Sequence, residues 1–154
     1  MPADSHRPEA DWRPPADGGP ARVAIGLHEG AVDAAPHLDF FLGPAEPVAD
    51  DARVVWSWRL PTDALEDGRI VPGSYEAEAS DQHRALYLRL AEPRELGADR
   101  GRFTPLLRAD ARARLDGALS IETKSWRLRA EPAVSAAGGA SPPRWRFTFA
   151  ELHS

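Results

Sequence analysis

Short runs in which apolar and polar residues alternate, separated by turn-forming residues, constrain this chain more than any other feature. In Val23–His28, Val23, Ile25 and Leu27 fall on one face, and Ala24, Gly26 and His28 on the other. In His37–Leu42, Leu38, Phe40 and Leu42 oppose His37, Asp39 and Phe41. Arg53–Leu60, Arg84–Leu90, Leu119–Arg129 and Arg144–Leu152 repeat the pattern, with Val54, Trp56, Trp58 and Leu60 on one side of the first of these and Trp145, Phe147 and Phe149 on one side of the last. Successive side chains leave a strand on opposite faces, so a period of two marks strands with one face buried. Six such segments, with prolines near their ends, imply a mainly β fold: a small antiparallel β-barrel or sandwich with short helical turns. Helical signals are few. Thr62–Asp67 suits one turn, capped by Thr62 or Asp63, and Leu106–Leu115 is compatible with a helix although Arg108, Arg112 and Arg114 leave it mostly polar.

At 154 residues the chain suits one domain with a sizeable core. The proline- and charge-rich residues 1–20 read as a disordered tail whose one large apolar residue, Trp12, could dock on the domain formed by residues 21–154. Val134–Pro143 reads as a loop of small residues. Cysteine is absent, which excludes disulfides and thiolate metal sites and leaves nitrogen and oxygen ligands suited to Mn, Fe, Zn or Mg. No apolar run approaches membrane-spanning length, and the N-terminal residues lack an apolar signal core, so a cytoplasmic location without membrane association is expected. Lys124 is the sole lysine among 19 basic residues. The net charge of -5 argues against bulk binding to duplex nucleic acid, although a local basic patch remains compatible with it.

Three of the five histidines suggest a site. His37 and Asp39 would share a strand face, close enough to hold one cation. If Val23–His28 and His37–Leu42 form a hairpin, His28 joins them near the loop. The alternative for His37 and Asp39 is a polar pair on a solvated strand, or one satisfied by mutual hydrogen bonds. His83 and Tyr87 would share a face if their segment is a strand, where they could contact an anionic group, with His83 as a hydrogen-bond donor or general acid. Otherwise they are a turn histidine and a core tyrosine. The dense arginines Arg94, Arg100, Arg102, Arg108, Arg112 and Arg114 read mostly as a solvated face, from which one or two could grip a nucleic-acid backbone.

In order and spacing these segments resemble the 3′-phosphoesterase domain of bacterial DNA ligase D, also called the DNA polymerase–ligase N-terminal domain. The resemblance rests on Val23–His28, His37-Leu38-Asp39, Trp58-Arg59-Leu60-Pro61 and His83-Arg84-Ala85-Leu86-Tyr87-Leu88, with Gly101-Arg102 and the closing strand Arg144–Leu152 in suitable places. It implies a small β-barrel with a Mn-dependent site that trims DNA 3′ ends by removing a terminal ribonucleoside and then the 3′-phosphate. Carried over by position, His28, His37 and Asp39 would ligate Mn2+ or another divalent cation, and His83 and Tyr87 would act catalytically on the phosphate side. Nucleic-acid 3′ ends in DNA repair would be the substrate, with any ligase or polymerase on separate chains. The chain departs from the family's pattern where cations are expected: Phe41 stands for an arginine, Thr62 for a lysine, and Tyr75 lies near the place of another arginine. The loop between His28 and His37 is also longer than in the family. Arg59 or Arg89 could replace the missing charges.

Two other readings compete. A non-catalytic barrel could bind nucleic-acid ends or a repair partner. A non-haem Fe(II) oxygenase could use His37, Asp39 and His83 as a two-histidine, one-carboxylate triad, with Arg94 gripping an oxoacid. The metal-binding histidines discriminate, since the esterase needs His28 with His37 and the oxygenase needs His83 with His37.

Overall fold

The computed structural model describes residues 12–133 and 143–152. Its strands, in chain order, are β1 (Gly19–Glu29), β2 (His37–Pro44), β3 (Val55–Leu60), β4 (Leu65–Glu66), β5 (Arg69–Ile70), β6 (Gly73–His83), β7 (Arg94–Glu95), β8 (Arg102–Asp116), β9 (Ala118–Glu122), β10 (Trp126–Pro132) and β11 (Arg144–Glu151). Eight of them pair antiparallel in the order β1-β2-β3-β6-β11-β10-β9-β8, and β8 returns to β1, which closes a barrel. β7 pairs with Arg102 and Phe103 of β8, which also pair with β1, and β4 and β5 form a separate hairpin. Helical structure among the described residues is limited to 3-10 turns at Thr62–Ala64 and Ala85–Leu88.

An eight-stranded barrel has an interior just wide enough for side chains to fill. Here Val23, Ile25, Leu38, Phe40, Leu42, Trp58, Leu60, Leu119, Ile121, Leu128, Phe147 and Phe149 fill it. Phe40 lies at its centre, with ring centroids 5.3 Å from Phe147 and 6.1 Å from Trp58. A second buried cluster lies on the outer face of the barrel, where Ala24 and Phe41 are covered by Val54, Val55, Ala85, Tyr87, Leu88 and Phe103. β1 and β2 are thus covered on both faces, one by the barrel interior and the other by the chain that wraps outside.

Four segments differ from the sequence reading. Arg84–Leu90 is not a strand, and Ala85–Leu88 forms a 3-10 turn whose Ala85 and Leu86 amides donate to the Ala52 and Asp50 carbonyls. Ala85, Leu86, Tyr87 and Leu88 are all apolar, and such a run does not by itself distinguish a strand from a turn. Leu106–Leu115 is not a helix but part of the 15-residue strand β8, which pairs with β1 and β9. Its alternating Arg112, Ala113, Arg114 and Leu115 have the period of two, while its alanines mimic a helix former. Leu119–Arg129 is two strands, because the Thr123 hydroxyl accepts from the Ser125 and Trp126 amides and turns the chain. β6 was not legible as a strand: its Ser, Glu, Ala and Asp residues have low strand preference, and pairing with β3 and β11 on its two sides holds it extended.

The Thr62–Ala64 turn starts from Pro61 without a side-chain cap, so neither Thr62 nor Asp63 caps it. Of the expected tail, residues 1–11 lie outside the described residues. Trp12 packs against both buried clusters and its carbonyl accepts from Trp56 Nε1, and β1 already begins at Gly19. Of the expected loop Val134–Pro143, residues 134–142 lie outside the described residues.

Candidate metal centre

The β1–β2 hairpin sets the site. Its register places His28 opposite His37, Gly26 opposite Asp39 and Ala24 opposite Phe41, all on the outer face. His28, His37 and Asp39 each offer a ligand atom, and these atoms lie within 4.8 Å of one another. His37 Nε2 is 3.0 Å from Asp39 Oδ1, and His28 Nδ1 is 3.3 Å from Asp39 Oδ2. His37 and Asp39 are buried and His28 half-buried.

The far nitrogen of each ring determines what the near one can do. His28 Nε2 donates to the Arg100 carbonyl at 2.6 Å, and His37 Nδ1 to the Ala35 carbonyl at 3.1 Å. A carbonyl only accepts, so both of those nitrogens carry the proton. In the neutral imidazoles, His28 Nδ1 and His37 Nε2 therefore present lone pairs toward the two oxygens of a carboxylate. Such a constellation repels itself unless positive charge stands between its members, supplied by ring protons or by a cation. A histidine whose outer N–H is fixed by a backbone carbonyl is also the usual arrangement around a protein-bound metal. The cluster can therefore coordinate a divalent ion through nitrogen and oxygen.

The ionisation of the cluster follows from the same contacts. The hydrogen bond with Asp39 raises the His28 pKa above its ordinary value, against the lowering effect of burial. Burial pushes Asp39 upward, but the hydrogen bonds from His28 and His37, with their charges, bring it below the usual carboxylate value.

Glycines position the partners. At Gly101, φ is 80°, a conformation that favours glycine. A side chain there would strike the Glu29 carbonyl, so this glycine lets the loop between β7 and β8 lie on the end of β1 and present the Arg100 carbonyl to His28. Opposite Asp39, Gly26 leaves room for the Phe103 ring, which a β-carbon at that position would overlap.

His83 and Tyr87 reach the same pocket by a route the strand reading did not contain. His83 ends β6 and Tyr87 lies in the following 3-10 turn. Their rings are 5.7 Å apart and nearly perpendicular, and Phe41 packs against both and against Phe103. His83 Nδ1 is 2.7 Å from the Asp81 carbonyl and so carries its proton, which leaves Nε2 as an acceptor in the neutral ring. Burial lowers the His83 pKa below the ordinary value.

The pocket has a volume of about 230 Å³ and is walled by His28, Asp39, Phe41, His83, Tyr87 and Phe103, with Arg59 and Arg100 among its other residues. His83 is not a member of the cluster of ligand atoms, and Arg94 does not line the pocket but pairs in register with Phe103. Of the dense arginines between 94 and 114, Arg100 alone reaches the pocket. Arg89 does not, and forms an ion pair with Asp50 instead. Sequence reasoning missed Phe103 and the Arg100 carbonyl, whose placement depends on a loop crossing that no local pattern marks. No helix of the described residues is long and apolar enough to cross a membrane.

Comparison with family models, curated proteins and solved structures finds no match to this chain.

Proposed function

We propose that this chain is a divergent metal-dependent phosphoesterase that acts on nucleic-acid 3′ ends, as its resemblance to the ligase D 3′-phosphoesterase domain implies. The observation that carries the reading is the pair of backbone-fixed imidazoles aimed at the two Asp39 oxygens, in one pocket with His83 and Tyr87. Nitrogen and oxygen donors without sulfur suit Mn2+, the ion the resemblance implies. When bound, a divalent ion polarises a phosphoryl oxygen and lowers the pKa of water.

The chain's own groups supply the rest. His28, His37 and Asp39 hold the ion, and the Arg100 and Ala35 carbonyls keep the two rings oriented. His83, neutral at pH 7 because of its burial, takes a proton at Nε2, a base rather than the acid that the sequence suggested. The Tyr87 hydroxyl serves as a donor to a phosphate oxygen. The apolar wall of Phe41 and Phe103 keeps water from that side. Small-molecule pockets usually measure roughly 300–1,000 Å³. A smaller cavity suits a chain terminus better than the interior of a duplex.

The oxygenase reading loses its ligand set, since His28 rather than His83 converges with His37 and Asp39. The test is an assay with Mn2+ on primer–templates that end in a 3′-phosphate or a 3′-ribonucleotide. Metal-dependent loss of the terminal group, abolished in His37→Ala and reduced in His83→Ala, is expected. Bound metal without turnover would select the non-catalytic end-binding barrel instead.

A further inference from the structure

Arg59 occupies an unusual position for an arginine. On β3 it pairs in register with Asp39, on the same outer face. A guanidinium beside a carboxylate on the next strand ordinarily forms an ion pair with it. Here both Asp39 oxygens are taken, one by His37 and the other by His28. On its other side Arg59 registers with Glu78 of β6, and no ion pair forms there among the described residues. The side chain is exposed and lines the metal pocket together with His28 and Asp39.

The geometry points to Arg59 as the anion-binding residue of this pocket, receiving a phosphoryl group between its guanidinium and the ion held by His28, His37 and Asp39. The inference rests on the phosphoesterase reading and deepens it, because neither Phe41 nor Thr62 can supply the charge. Phe41 is completely buried in the outer cluster, and Thr62 does not line the pocket. The charge balance agrees. Arg59 and Arg100 offset Asp33 and Asp39 in the pocket wall, so a bound divalent ion leaves two positive charges, which match a phosphoryl dianion. Phosphate binding therefore depends on metal, and by linkage phosphate tightens the metal by the same factor. The planar, forked guanidinium suits two phosphate oxygens at once, which an ammonium does not.

The experiment is calorimetric titration of the full chain with Mn2+, with and without inorganic phosphate. Phosphate is expected to raise Mn2+ affinity about tenfold, within the usual range of coupling between sites. Arg59→Ala should abolish the increase while leaving Mn2+ affinity without phosphate within about threefold, and Arg59→Lys should restore only part of it. An undiminished phosphate effect in Arg59→Ala would overturn the inference and leave the phosphoesterase reading standing. So would an equal effect from acetate, which would point to general attraction for anions. Failure of the wild-type chain to bind Mn2+ would overturn both.

Discussion

Asp39 and Phe41 are neighbours on one face of β2, yet they stand in opposite surroundings. Asp39 receives two imidazoles and reaches the pocket as an ionised group. Phe41, one step farther along that face, is enclosed by the rings of His83, Tyr87 and Phe103. The two histidines of the pocket show the consequence. His28, beside a carboxylate, binds its proton more tightly than free histidine, whereas His83, among aromatic rings, binds it less tightly. A pocket with one charged and one apolar wall can hold a cation and also keep a neutral base beside it. The difference between the walls arises from what lies across the sheet: a histidine and a glycine on β1 near Asp39, and the wrapped 3-10 turn over Phe41.

If the walls are separate in function, substitutions should divide cleanly. His37→Ala and Asp39→Ala should each lower Mn2+ affinity by more than about 100-fold, since disturbing outer partners of metal ligands already costs roughly 10–100-fold. Calorimetry checks this, and a loss of less than tenfold would break the comparison. Phe41→Ala should do the reverse, with a stability loss of about 3–5 kcal/mol in denaturant melts and little change in metal affinity. Phe41→Arg should also destabilise, because it buries a charge without a partner; position 41 is therefore no place for a cation.

Gly26→Ala couples the walls, since the added carbon displaces Phe103 from opposite Asp39. A stability loss of about 1–3 kcal/mol is expected, together with weakened Mn2+ binding. The smallest effect is in pH dependence. Without metal, the stabilisation from His28 is fully present below its ordinary pKa near 6.5 and is lost as pH rises through its raised value. The effect of His83 runs the other way: stability is greatest above about 6.5 and falls as pH drops toward its lowered value. Thermal melts of the metal-free chain from about pH 5 to 8 should therefore show His28→Gln losing most relative to wild type at the acidic end, and His83→Gln losing least there. Identical profiles for the two variants would remove the electrostatic contrast.

The alternation in Val23–His28 and His37–Leu42 determined two strands, with His37 and Asp39 on one face of the second, because successive side chains leave a strand on opposite sides; that the two pair as a hairpin and bring His28 opposite His37 came from the structure. The same reasoning carried the closing strand β11 and the mainly β class. It failed at Arg84–Leu90 and at β6, for different reasons. Ala85–Leu88 is an apolar run that packs over the outside of the barrel, and β6, though mostly polar, is held extended by its neighbours rather than by its own residues. Which wall His83 and Tyr87 join, which carbonyl fixes the His28 imidazole, and that Arg59 is left without a carboxylate were decided only when β3, the loop around Arg100 and the 3-10 turn met on the outer face of β1 and β2. Those contacts join residues as many as 72 positions apart, and a local pattern records only what a residue buries, not what arrives to cover it.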